Sequence, residues 1–240
     1  MPNQNPEQIA RDKIDAMLAA AGWIVQDHTA PDLNAGIGIA LREYPTDTGP
    51  MDYLLIVDKK PCGLIEAKKF VLGYNLTDVE KQSEDYANSE LKIYKKNYLI
   101  RLVYESTGIR TRFRDRLDPK PRSREVFSFL RPETMQKLLM ESKSLRGRLK
   151  EDIPALLQGN LRDCQFSAIT NLEKSFADAN PRALVQMATG AGKTFTAITS
   201  VYRLLKYGKA SRVLMLVDTK QLGVQAHEGF ENYQPVGEQF

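Results

Sequence analysis

The sequence predicts an α/β protein in two parts: a mixed sheet flanked by helices, followed by the start of a parallel α/β unit built around a glycine loop. Three observations carry this. Residues 36–68 hold short β-rich runs separated by turn clusters rather than by helices. Residues 161–218 instead alternate helix-period and strand-period segments, an order that implies parallel pairing. Between them, LDPKPRSRE at 117–125 shifts the composition, with two prolines and a cluster of basic residues. The expected parts are therefore residues 1–116, a charged connection over 117–155, and residues 156–240.

The elements follow in order. PEQIARDKIDAMLAAA, residues 6–21, places Ile9, Ile14, Met17 and Leu18 near one helical face, and Gly22 stops it. WIVQ at 23–26 and GIGIALREY at 36–44 read as strands, with TDTGP at 46–50 as a turn. DYLLIVD at 52–58 and CGLIEAK at 62–68 flank KKP and read as a hairpin. A polar helix is expected over 76–92, a strand within 96–106, and a further strand over 108–116 with arginines on an open face. Charged helices fill the stretch to about residue 152. The second part opens with a helix at 161–176, then a strand at 182–188, a glycine loop, a helix, and a strand at 212–218.

Composition narrows the function classes. A chain of 240 residues with 42% hydrophobic content can bury a substantial core. It has no run of about eighteen apolar residues and no basic-then-apolar leader, so a soluble, cytoplasmic protein with no membrane partner is expected. Cys62, Cys164, His28 and His227 are isolated from one another in sequence. Neither a disulfide framework nor a zinc site fits, and any catalytic metal should be held by oxygen. Residues 101–150 hold 14 Lys+Arg against 6 Asp+Glu, which suits phosphate contact or a solvated linker helix.

MATGAGKT, residues 187–194, follows an apolar strand and opens a helix, the context of a phosphate-binding loop. Thr189, Gly190, Ala191 and Gly192 would curl N–H groups inward, Lys193 would reach the β- and γ-phosphates, and the Thr194 hydroxyl would ligate Mg²⁺. In the hairpin, a turn at Lys59–Lys60 would set Asp52 opposite Lys68 and Leu54 opposite Glu66, with Asp52, Glu66 and Lys68 on one face. Two adjacent carboxylates suit a hard divalent cation, and a lysine beside them can orient or activate water.

These motifs carry resemblances. The form A-T-G-x-G-K-T, with LRDCQFSAI upstream and VLMLVDTKQLGVQA downstream, resembles superfamily 2 helicases and translocases, with a RecA-like P-loop fold. That resemblance implies ATP as cofactor and associates Gln165 with the adenine base. The acidic motif and arginine finger of those motors do not occur within residues 1–240, so the expectation is weak nucleotide binding at most, with no meaningful hydrolysis. The pattern D-x13-E-x-K resembles the PD-(D/E)xK nuclease superfamily, with its proline displaced to Pro50. By that resemblance Asp52, Glu66 and the Ala67 carbonyl would hold Mg²⁺, and Lys68 would assist the attacking water. Glu7 matches a further acidic position of that fold, although a glutamate in a first helical turn is equally accounted for by the dipole. Gln82 and Tyr86 resemble the Q-x-x-x-Y motif that positions DNA in a nuclease subgroup.

A nuclease preceding a motor resembles the R subunit (HsdR) family of type I restriction endonucleases. The implied partners are double-stranded DNA and the methyltransferase (M) and specificity (S) subunits, the former using S-adenosylmethionine. The host would be bacterial or archaeal. The alternatives are another helicase-linked repair or phage-defence nuclease, and a degenerate nuclease fold that holds DNA for a motor.

Overall fold

The computed structural model describes residues 6–47, 49–68 and 100–235. The chain divides into two compact units, residues 1–117 with 121–142, and residues 118–120 with 143–240.

The first unit opens with helix α1 (Pro6–Ala20) and continues through strands β1 (Ile24–Asp27), β2 (Gly38–Pro45), β3 (Pro50–Val57), β4 (Lys60–Ala67), β5 (Leu102–Ser106), β6 (Thr111–Asp115) and β7 (Arg124–Val126). Among the described residues these form one seven-stranded sheet in chain order. The pairs β1–β2 and β4–β5 are parallel and the rest antiparallel, so the sheet is mixed as the sequence predicts. Two apolar clusters explain why β3 reads as an almost unbroken hydrophobic run. Ile14 and Leu18 of α1 pack with Tyr53, Leu55, Ile65, Leu102 and Tyr104, while Leu54 and Ile56 pack with Ile39, Leu41, Leu64 and Val103. Both sides of the strand are covered, and alternation vanishes.

The hairpin register differs from the expected one. Val57 pairs with Lys60, so the turn is Asp58–Lys59 rather than Lys59–Lys60. Both turn residues have positive φ (49° and 63°), as a two-residue type I′ turn demands. Ile56 pairs with Pro61 but Leu55 with Gly63, leaving Cys62 as an extra residue in β4. Beyond this bulge Tyr53 faces Ile65, so the next step sets Asp52 opposite Glu66, not Lys68. The displacement is an even number of residues, which preserves the side-chain face.

Helix α2 (Pro132–Met140) belongs to this unit. The Trp23 indole donates to the Leu130 carbonyl (2.8 Å), and Phe129 and Met135 join the core. At the other end of α2, Arg101 donates to both oxygens of Asp115 (2.9 and 2.8 Å) and to the Leu138 carbonyl (2.6 Å). Much of the stretch expected as a charged connection is thus packed on the sheet. The open arginine face expected on β6 is not formed: Arg114 is buried, and the half-buried Arg112 donates to the Ser123 carbonyl (3.1 Å). The expected helix at 76–92 lies outside the described residues.

The second unit contains α3 (Leu145–Glu151), α4 (Asp163–Ala177), α5 (Lys193–Lys206) and α6 (Lys220–Glu231). Ser144 caps α3 by accepting from the Gly147 N–H (3.1 Å), and Thr219 caps α6 by accepting from Leu222 (3.3 Å). Arg203 of α5 pairs with Glu173 of α4 at 2.6 Å. The strands expected at 182–188 and 212–218 are not formed. A strand exists only within a ladder, and neither segment has one beside it among the described residues; Leu184, Leu214 and Leu216 are accordingly exposed. No helix among the described residues is long and apolar enough to cross a membrane.

Candidate functional site

The hairpin brings Asp52, Glu66 and Lys68 together. Asp52 Oδ2 accepts from the Ala67 N–H at 2.8 Å, which ties the start of β3 to the end of β4. Lys68 Nζ lies 2.9 Å from Glu66 Oε1. The other oxygen, Glu66 Oε2, is buried without a hydrogen-bond partner among the described residues. Burial, and then the charge of Asp52, push the Glu66 carboxyl up to about 7, against the pull of Lys68. A desolvated carboxylate beside a second one is a poor resting place for two negative charges and a good one for a hard cation.

Two residues that sequence reasoning missed complete this corner. Arg11 of α1 donates to Asp52 Oδ1 through Nε (3.1 Å) and Nη2 (2.6 Å), and through Nη1 to Glu43 Oε1 (2.7 Å). Glu43 lies between the pairs Arg42–Tyr53 and Tyr44–Met51, opposite Asp52, with φ of 49°. This left-handed residue resets the alternation. Tyr44 and Met51 pack with Leu41 and Leu54, neighbours that strict alternation would place on the opposite face. The Tyr53 hydroxyl donates to Asp15 Oδ1 (2.8 Å), fixing α1 over this end of the sheet. Glu43 is linked to the site by its ion pair with Arg11 and by its unusual backbone, and no motif announces either.

Of the remaining candidates, Glu7 lies in the first turn of α1, its side chain outside the described residues, as are Gln82 and Tyr86 altogether. Among the described residues no group of three or more His, Cys, Asp or Glu side chains is arranged to hold a metal, so a cation here would need backbone oxygen or water beside Asp52 and Glu66.

In the second unit the glycine loop precedes α5. Gly190 and Gly192 have φ of 77° and 81°, and a Cβ on Gly192 would meet Gln165 Nε2 at 2.2 Å. Gln165 caps α4 by accepting from the Arg162 N–H (3.0 Å) and donates to the Ala191 carbonyl (3.1 Å). Its side chain therefore braces the loop. Lys193 Nζ donates to the carbonyls of Met187 and Ala188, each at 3.2 Å, so the amine is folded back over its own loop. Ala191 N–H closes a turn onto Ala188, and Thr189 and Thr194 are exposed beside it.

Known proteins share these patterns. A family model described as type III restriction enzyme, res subunit, matches residues 158–240. The endonuclease subunit of the type I restriction enzyme EcoKI of Escherichia coli K12 is 28% identical over 98% of this chain and 24% of that protein. The corresponding EcoAI subunit, also from Escherichia coli, is 36% identical over 30% of this chain and 9% of its own length. A solved fragment described as an HsdR subunit of a type I restriction enzyme from Vibrio vulnificus YJ016 superposes with a TM-score of 0.41 and 21% identity, covering 87% of this chain and 39% of that one. Along nearly its whole length the chain is similar to the EcoKI endonuclease subunit, of which it spans about a quarter.

Proposed function

We propose that the chain is the N-terminal part of a type I restriction R subunit, in which the first unit cuts duplex DNA with Mg²⁺ and the second begins an ATP-driven translocase lobe. The observation that carries the nuclease reading is the buried Glu66 Oε2, without a hydrogen-bond partner among the described residues, within reach of the charge of Asp52 and beside Lys68. Hard carboxylate oxygens in that arrangement fit Mg²⁺, with the Ala67 carbonyl and Glu7 as further candidate ligands. When bound, the cation would lower the pKa of water and stabilise charge on the phosphate. Lys68, held by Glu66 with its side chain partly open to solvent, positions the attacking water. Asp52 is pinned by the Ala67 N–H on Oδ2 and by Arg11 on Oδ1, so a cation would share its carboxylate with these donors. Gln82 and Tyr86 are the residues proposed to position DNA.

In the second unit, Lys193 would exchange the Met187 and Ala188 carbonyls for the β- and γ-phosphates of ATP, with Thr194 beside Mg²⁺ and Gln165 joining the loop to the adenine side. The full protein would work in the bacterial cytoplasm with M and S subunits that select the DNA, the M subunit drawing on S-adenosylmethionine.

Calorimetric Mn²⁺ titration of the chain against Asp52→Asn and Glu66→Gln tests the metal site. Saturable binding lost in both folded variants is expected; binding that survives both refutes the assignment. A second reading, a degenerate nuclease that holds DNA for the motor, is favoured by the engagement of Asp52 Oδ1 with Arg11. Its signature is salt-dependent duplex binding with no Mn²⁺ binding.

A further inference from the structure

Arg11 has no place in the chemistry above, yet it is the best-bonded side chain at the site. Its guanidinium spends two N–H groups on one oxygen of Asp52 and a third on Glu43. With the Ala67 N–H on Oδ2, both oxygens of Asp52 are engaged by the protein itself. The charge of Arg11 also reaches Glu66, so one guanidinium faces all three carboxylates of the corner. Glu43 is held for this contact in a backbone conformation that L-residues rarely adopt, in the middle of a strand. A surface arginine whose only task was solubility would need neither the fork nor the strained partner.

We propose that Arg11 is a resident counter-cation: it holds Asp52 in its orientation and competes with the divalent cation for that carboxylate, with Glu43 as the seat that keeps the guanidinium at the site. This rests on the reading of Asp52 and Glu66 as cation ligands. Arg11 and Lys68 offset two of the three carboxylate charges of the corner, which weakens its pull on a dication until the guanidinium gives way. On the solvent side Glu43 is the anchor onto which the released arginine swings, still near any phosphate that enters. The clamp would keep a nuclease on a DNA-tracking protein poor in metal until substrate is present.

The test is Mn²⁺ titration of the full 240-residue chain, followed by calorimetry, for the parent, Arg11→Gln, Arg11→Met and Arg11→Lys. Trp23 fluorescence checks that each is folded. Removing one positive charge beside a dication should tighten binding about tenfold in both uncharged variants. Arg11→Lys, which keeps the charge, should stay close to the parent. Mn²⁺ should also raise the melting temperature of Arg11→Gln more than that of the parent, because Asp52 has lost its partner. A purely structural arginine gives the opposite result: unchanged or weaker Mn²⁺ binding in both uncharged variants, with Asp52→Asn still abolishing it, overturns the inference and leaves the metal site standing. Absence of Mn²⁺ binding from the parent and from both uncharged variants overturns the metal site and the inference together.

Discussion

Glu66→Gln should change how the stability of the first unit depends on pH. The folded carboxyl titrates at about 7 against an ordinary 4.5, because burial penalises its charge and Asp52 adds to the penalty. Below about pH 4.5 the group is neutral in both folded and unfolded chains, and its contribution is fully present. Between the two values the unfolded chain has released a proton that the folded one keeps, so stability falls as pH rises and levels off above the folded value. At about 1.4 kcal/mol per unit of separation, the parent should lose roughly 2–3 kcal/mol relative to Glu66→Gln between about pH 5 and pH 8. The assay is urea unfolding in EDTA followed through Trp23, the chain's one tryptophan, which is buried in this unit. Saturating Mn²⁺ should remove much of the loss, since a bound cation takes the place of the proton. Parallel curves for parent and variant across this range would show that the carboxyl is not desolvated as the geometry demands.

Other changes act on single contacts. Arg101→Ala strands Asp115 in a buried setting and frees the end of α2, and should cost about 3–5 kcal/mol in the same unfolding assay; a loss below about 1 kcal/mol would mean the pair is solvated. Gly38→Ala drives a Cβ to within 2.2 Å of the Pro132 ring and 3.2 Å of Trp23, so a loss of about 1–3 kcal/mol is expected, with a red-shifted tryptophan emission as its sign. Lys193→Ala should abolish whatever binding of a fluorescent ATP analogue the chain shows while leaving its helix content intact; undiminished affinity would remove the loop from the nucleotide site.

How much of this was legible follows from the range of each interaction. The α1 helix, the hairpin and helices α3 to α5 are written in local periodicity and capping residues, and they appear close to where the sequence places them, whereas α6 was not among the expected elements. The hairpin register was not legible, because the turn lies one residue earlier than the lysine pair suggests and no local signal marks the bulge at Cys62. The basic stretch over residues 101–150 misled in a different way. Its arginines are basic in composition but Arg114 is buried and Arg112 bonds to backbone, while Phe129 and Met135 supply the apolar contacts that keep the segment on the sheet. In the second unit the apolar runs at 182–188 and 212–218 have strand composition without a ladder. Composition states what a segment can pair with, and only a neighbour makes the pair.

The candidate site divides along the same line. Asp52, Glu66 and Lys68 lie within one hairpin, so their spacing alone brings them into proximity even with the register misjudged. Arg11 reaches Asp52 from α1, and Glu43 reaches Arg11 from a single left-handed residue of β2, and neither is encoded by spacing. Their arrival changes the physical account of the corner. A carboxylate that burial has made costly to ionise gains more from a nearby cation than an exposed one does, because water competes less for it. At this corner the fold has answered the half-buried Asp52 with a guanidinium fork and left one oxygen of the buried Glu66 without a partner among the described residues. That asymmetry is what a structural ion-pair cluster would avoid, since a second arginine or a backbone N–H at Glu66 would remove the cost. A site that must take up a cation and release it has reason to keep one oxygen unanswered.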